Sequence, residues 1–163
     1  MPNNQFHTRA AAYDHEDGLL DGVNLRILAE LRDGPRLSMA ELARRVSMSA
    51  PAVTERVQRL QQAGVIAGYR LDIDPAAVGL PVTAFARIRP MPGSLTKIAE
   101  LAAELPQVTE CYRITGEDCY FMKVYLHSID DLEPILDLFT PHGRTTTSIV
   151  HSAPVPPRPL PVP

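Results

Sequence analysis

The stretch "SAPAVTERVQR" (49–59) gathers side chains that can address nucleic acid. With Val53, Val57 and Leu60 as the buried stripe of a helix, Pro51, Thr54, Glu55, Gln58 and Arg59 face outward. Gln can bridge an adenine, Arg a guanine, Glu can accept from a cytosine, and Thr can meet a thymine methyl. The set therefore suits the base edges of a major groove. Ser49, at the helix start, can offer its hydroxyl and backbone N–H to a phosphate, and Arg44, Arg45 and Arg70 are candidate phosphate contacts. Arg56 lies between the two faces and can either contact DNA or brace Glu41 or Glu55. A solvated helix face would also be rich in such residues. The charge is concentrated here: over 36–70 six arginines stand against two glutamates, a local +4 that leaves −7 for the rest of a chain of net charge −3. Phosphate neutralisation releases counterions, so a local positive footprint matters more than the global balance.

Other chemistries find little support. There is no Gly-rich phosphate loop. His7, His15, His127, His142 and His151 show no metal-ligand spacing, and no nucleophile–base pattern stands out. Cys111 and Cys119, without an export signal, make neither a disulfide framework nor a complete metal site. The expectation is a protein with no catalytic residue, metal or cofactor. Its 163 residues, 45% apolar and 21% charged, suit a folded cytoplasmic protein. No apolar run approaches the roughly 20 residues needed to span a bilayer. The opening "MPNNQFHTRAAAYDHEDG" lacks a signal peptide's apolar core and is too acidic for a transit peptide.

The elements that must hold the outward set are legible on either side of it. Residues 1–18 show no sustained periodicity and read as a mobile arm. Leu20, Val23, Ile27, Leu28 and Leu31 recur as an amphipathic helix, which Gly34-Pro35 ends. Ser38 and Glu41 form a capping box for a short helix buried through Met39, Leu42, Ala43 and Val46. Ser47 and Met48 turn the chain, with Ser47 standing where a residue tolerating positive φ is wanted, at a cost of about 1 kcal/mol. Ser49 caps the third helix, Pro51 occupies its first turn, and Gly64 supplies a left-handed stop. Two helices joined by so few residues cross steeply, which makes 19–66 a helix-turn-helix unit with the third helix projecting. "VIAGYRLDIDP" then alternates like a strand, so 67–79 reads as a linking strand and hinge.

The remainder follows a different grammar. Residues 82–88, 108–115, 119–127 and 145–151 are strand-like. One helix runs over 94–105, with a stripe at Leu95, Ile98, Ala99, Ala102 and Leu105. Asp130 is positioned to cap a second, through Leu132, Ile135, Leu136 and Phe139. The order β-α-β-β-α-β over 80–153 is a ferredoxin-like unit, an antiparallel sheet with both helices on one face, so the chain as a whole is α+β. The helices should cover Val82, Ala84, Ala86, Ile88, Tyr120, Met122, Val124 and Leu126. The opposite face presents Phe85, Phe121 and Tyr125 among Arg87 and Lys123. Three aromatics on a bare sheet invite a two-fold partner, so this face is the expected dimer interface. The tail 154–163 is Pro-rich and solvated.

A helix-turn-helix, a linking strand and a ferredoxin-like domain in this order resemble the Lrp/AsnC family of bacterial and archaeal regulators, over roughly 19–153. The resemblance is carried by "LDGVNLRILAEL", "SMAELARRVSMSAPAVTERVQRLQQAGVIAGYRLDIDPAAVG" and "VTECYRITGEDCYFMKV". Asn24 departs from the family's usual Asp. The hairpin turn reads Gly-Glu-Asp-Cys where an acid often lies one position later, which leaves Glu117 and Asp118 as alternatives. The resemblance implies a transcriptional regulator of double-stranded DNA, assembled as a homodimer and as an octamer (a tetramer of dimers), whose assembly and DNA binding respond to an amino acid or related metabolite. It implies an effector site at the turn Thr115, Gly116, Glu117 and Asp118. There glycine allows close approach and the acids offer charge to an ammonium. Thr145, Thr146 and Thr147 could add hydroxyls, although strand threonines are often simply good strand formers. On spacing alone Gly-Glu-Asp is an ordinary hairpin turn. Two alternatives stand beside this reading: a ligand-independent architectural DNA-binding protein, and a siroheme-decarboxylase-like enzyme on the same fold recruiting His127, His151 and Arg113.

Overall fold

The two helix-start signals at Ser38 and Ser49 become capped helices, and Asp21, absent from the sequence expectations, caps a third. The computed structural model describes residues 18–162, which form two compact units, one made of the residues up to Arg70 with those from Pro157 on, the other of Leu71–Pro156. In the first, α1 spans Gly22–Asp33, α2 Met39–Arg45 and α3 Ala50–Gln62. Asp21 caps α1 by accepting from the Asn24 backbone N–H at 2.7 Å, and Ser38 caps α2 through the Glu41 N–H at 3.1 Å. The capping box is only half formed. Glu41, instead of reaching back to Ser38, forms ion pairs with Arg44 and, at 3.0 Å, Arg45. Ser49 caps α3 through the Ala52 N–H at 3.4 Å, with Pro51 in the first turn. Gly64 ends α3 at φ +75°. Ile27, Leu31, Leu42, Ala43, Val46, Val53, Val57 and Leu60 form one buried cluster. Small Ala43 lets the turn close, its carbonyl accepting from the Met48 N–H at 2.9 Å.

Ser47 takes φ +57°, the one non-glycine in the left-handed region among the described residues. Its Cβ makes that conformation costly by about 1–2 kcal/mol, part of which a glycine would return as unfolded-state entropy. Ser47→Gly should therefore stabilise the helix-turn-helix unit by roughly 0.5–1 kcal/mol, read as a higher denaturation midpoint at unchanged slope. A lower midpoint would mean that the exposed Ser47 side chain supplies something the backbone argument omits.

The second unit contains a short 3₁₀ turn, Ala76–Val78, and then β1 Val82–Pro90, α4 Leu95–Glu104, β2 Val108–Arg113, β3 Tyr120–Leu126, α5 Leu132–Phe139 and β4 Gly143–Ile149. The sheet order is β2-β3-β1-β4, and every pair is antiparallel. Ala84, Ala86 and Ile88 of β1 and Tyr120, Met122, Val124 and Leu126 of β3 are buried with Ile98, Ala102, Leu132, Ile135 and Phe139. Period-2 alternation on the strands and a 3.6-residue stripe on the helices meet in this one core. Tyr120 keeps its hydroxyl satisfied by donating to the Leu95 carbonyl at 2.8 Å.

Three local expectations need correction. Ala99 is exposed and Leu101 packs on the core instead, so the stripe of α4 is rotated. The residue preceding α5 is Asp131, not Asp130, and its carboxylate accepts from the Ser128 N–H at 3.0 Å instead of capping the helix. Residues 67–74 form no strand: Tyr69, Leu71 and Ile73 alternate as expected but are exposed. Alternation describes which way side chains point, whereas a strand also needs a ladder of backbone partners.

Candidate functional site

On α3, Pro51, Glu55, Gln58 and Arg59 are exposed, as is Ser49 just before it. Among the described residues, Glu55 and Arg59 make no ion pair within the chain. Ser49 uses an oxygen lone pair for the cap and keeps its O–H to donate. Thr54 is half-buried, and its hydroxyl donates back to the Ala50 carbonyl at 2.8 Å, which spends its O–H and leaves its methyl and the oxygen's lone pairs to meet a base. Arg45 is held by Glu41 and, at 2.9 Å, by Glu30, while Arg44 pairs with Glu41 yet stays largely exposed. Arg70 is exposed, with no ion pair among the described residues.

Arg56 braces neither Glu41 nor Glu55. Its guanidinium donates to Asp21 at 2.6 Å and to the Asn24 side-chain oxygen at 3.0 Å, fastening α3 to the start of α1. Asn24 is 4% exposed, and its amide nitrogen donates to the Leu19 carbonyl at 2.8 Å, so this buried polar group is satisfied on both sides. The Asn24 backbone N–H holds the Asp21 carboxyl below its usual range; partial desolvation opposes this, and Arg56 adds to the lowering. A depressed folded value means stability that is present above the unfolded pKa of about 3.9 and is lost as pH falls through the folded one. Asp21→Asn keeps a capping oxygen but loses the charge. It should cost up to about 1 kcal/mol at pH 7, the screened range for a partly exposed pair, and the difference from the parent should narrow as pH falls below the unfolded value and close once it is below the folded one. Melts followed from pH 7 down through the acid range test this, and a gap that does not narrow at all as pH falls would assign the loss to the cap rather than to the charge.

The second constellation lies on the helix-free face of the sheet. Phe85 and Phe121 stack with centroids 5.0 Å apart, and the Lys123 ammonium sits 5.1 Å from the Tyr125 ring centre. Tyr125 raises the Lys123 pKa, against desolvation, with Glu110 at 3.6 Å adding to the effect. Arg87 lies opposite Phe121 on one side and Thr146 on the other. The turn after β2 closes with the Ile114 N–H donating to the Cys119 carbonyl at 2.9 Å, and Gly116 adopts φ +108° with open space around it. Thr115, Gly116 and Glu117 are exposed. Glu117 pairs with Arg89, and Asp118 lies 3.9 Å from Arg87 and 4.0 Å from Arg89. The turn's negative charge, expected to be free, is thus already met by arginines of β1.

The three threonines do not converge. Thr145 and Thr147 pair with Ile88 and Ala86 on the helix side, and only Thr146 shares the open face with Arg87. Arg89 and Arg144 were absent from the expected set. A period-2 reading from Arg87 would have put Arg89 on the same face, but only the strand order brings Arg144 beside it. His127 approaches the Gly79 carbonyl, and no group of three or more His, Cys, Asp or Glu among the described residues could hold a metal ion.

Residues 20–67 match the winged helix-turn-helix DNA-binding family, and residues 83–160 match the Lrp/AsnC ligand binding domain. The HTH-type transcriptional regulator LrpC of Bacillus subtilis is 35% identical over 133 residues, covering 82% of this chain and 92% of that protein. The chain belongs to the Lrp/AsnC family. The solved structure of the same LrpC superposes with a TM-score of 0.78 over 82% of this chain and 96% of that one. Regulatory protein AsnC of Escherichia coli K12 is 35% identical over 126 residues, 74% of this chain and 80% of that protein. A Neisseria meningitidis transcriptional regulator in complex with L-Met is 26% identical, with a TM-score of 0.80 over 87% of this chain and 96% of its own. As an Lrp/AsnC member, the protein is a DNA-binding transcriptional regulator with a helix-turn-helix unit and a ferredoxin-like ligand-binding unit. None of its described helices is long and apolar enough to cross a membrane.

Proposed function

We propose that the protein reads an operator with the outward face of α3, pairs with a second copy through the open sheet face, and couples the two to a free amino acid held at the Thr115–Asp118 turn. The base-reading set is Pro51, Thr54, Glu55, Gln58 and Arg59, with Ser49, Arg44 and Arg70 toward phosphate. Arg45 and Arg56, tied to acids within the chain, are withdrawn from it. The observation that carries the coupling is the pairing of Glu117 and Asp118 with Arg87 and Arg89. A ligand ammonium that takes the turn's carboxylates must release arginines on the face that also holds Phe85 and Phe121. Occupancy and assembly are thereby linked through one set of side chains, and an effector shifts assembly only by binding its two states unequally. The relative solved with L-Met supports a free amino acid as the ligand class.

The test is a thermal-shift screen of the amino acids and their keto acids, followed by operator titration with and without the one that binds. Gly116→Gln puts a side chain where φ +108° disfavours one and where the ligand would approach. Asp118→Ala removes a carboxylate. Each should weaken the response at least tenfold; Gly116→Gln should leave ligand-free DNA binding within about twofold, whereas Asp118→Ala, which releases Arg87 as the ligand would, should shift it toward the ligand-bound level. A normal response in both variants would move the pocket elsewhere. DNA binding indifferent to every compound would favour the architectural reading.

A further inference from the structure

Strand β4 ends at Ile149, and the Val150 N–H donates to the Thr83 carbonyl at 2.9 Å as a last bond to β1. Beyond it prolines remove the donors a ladder needs, and the chain forms no helix or strand up to Val162. From Pro157 on it belongs to the helix-turn-helix unit, not to the sheet it follows. It adds nothing to the core there. None of its residues lies in or against that unit's buried cluster, and Arg158 and Leu160 are exposed. Prolines fix φ, so the segment stays extended and has little backbone freedom left to lose on binding.

Its charge is one-sided. From Leu138 to the last residue the chain holds Arg144 and Arg158 but none of its 19 acidic residues. Arg158 stands between Pro157 and Pro159 and makes no ion pair or hydrogen bond among the described residues. A cationic side chain with no task in the fold is therefore carried on the unit that binds DNA.

We propose that the segment from Pro157 to Val162 is an arm that lays Arg158 in the minor groove flanking the helix-turn-helix unit, with a preference for A·T pairs. The inference uses that unit's DNA binding and not the particular bases α3 reads. Proline-rich chain extends about 3.1 Å per residue, so six residues cover roughly 19 Å. Helix-turn-helix units seat a helix in the major groove, whose successive turns lie about 34–36 Å apart, so the next minor groove is roughly 17 Å away. The arm matches that span. An A·T-rich minor groove is narrow, and its negative potential draws an inserted arginine. A G·C pair instead presents the guanine N2 amino group, a donor that a guanidinium cannot use. Apolar side chains such as Leu160 are at home against minor-groove walls.

Anisotropy titration of the full-length protein at one salt concentration tests this, against duplexes of roughly three helical turns built wholly of A·T, I·C or G·C pairs. Inosine lacks the N2 amino group, so I·C shows the minor groove of A·T and the major groove of G·C. The parent should bind A·T and I·C at least fivefold more tightly than G·C. Arg158→Ala should bring all three to the G·C level, with Arg158→Lys between; unchanged melting and sedimentation show that fold and assembly are intact. Gln58→Ala, Arg59→Ala should keep the I·C preference, which separates the arm from α3. Equal binding of I·C and G·C by the parent, or a preference untouched by Arg158→Ala, would overturn the proposal. A uniform loss on all three duplexes would make Arg158 a phosphate contact and overturn its groove reading. Weakened self-association in Arg158→Ala would assign the tail to assembly and overturn it as well.

Discussion

The double variant Gln58→Ala, Arg59→Ala should bind its operator at least 30-fold more weakly than the parent while melting at the same temperature. Both side chains are exposed on α3, and neither makes an ion pair or hydrogen bond with the described residues. Removing them costs the fold nothing beyond small propensity changes, since alanine favours helix. At the DNA, each well-placed bidentate contact to a base is worth roughly 1–3 kcal/mol, and two of them give a factor of about 30 at the low end and tens of thousands at the high end. The loss should be specific: binding to unrelated DNA, which follows phosphate contacts and salt, should fall far less. Anisotropy titrations on operator and scrambled duplexes at one fixed salt concentration measure both. An operator affinity within threefold of the parent would remove α3 as the reading helix.

A comparably large effect is expected from Phe85→Lys, Phe121→Lys. The stacked rings occupy the centre of the helix-free face, beside Lys123 and Arg87. Fully burying an aromatic ring against a partner contributes roughly 1.5–3 kcal/mol, and a two-fold interface uses each ring twice. The lysines remove that contribution and add like charge on both sides. Self-association should weaken by more than 100-fold, and operator binding should fall with it, because two linked helix-turn-helix units gain from effective concentration that a single unit lacks. Neither ring is in the buried core, so the folded unit should survive. Sedimentation velocity across micromolar concentrations decides the matter, and a variant still dimeric at the lowest of them would place assembly on another surface.

Local grammar accounts for most of what the residues disclosed about this fold. The buried stripe of α3, the caps at Ser38 and Ser49, the stop at Gly64 and the alternation of β1 and β3 depend on neighbours within a turn or a pleat. What escaped was long-range. Arg56 finds Asp21 and Asn24 more than thirty positions away, where counting three or four residues along a helix cannot reach. The Arg89–Glu117 pair exists because β3 lies beside β1, a fact of topology. The three threonines are a different case. Period-2 alternation alone excludes a shared direction for Thr145 and Thr146, and grouping them by composition overrode a rule the sequence already contained. The 67–74 segment shows the converse: its alternation is real, yet a ladder cannot be read from one strand.

The division of labour along α3 bears on how such a regulator can change targets over evolution. Val53, Val57 and Leu60 fix the helix by burial and Arg56 fixes it by its tie to α1, whereas Glu55, Gln58 and Arg59 owe nothing to the fold. If α3 reads the operator as proposed, substitutions at these three positions would rewrite its preference with little penalty in stability, so a duplicated gene could drift toward new promoters without passing through unfolded intermediates. The converse holds at Asp21, Asn24 and Arg56. Any one of them changes safely only when its partners change too, so across descendants these three should vary together while the proposed reading positions vary alone.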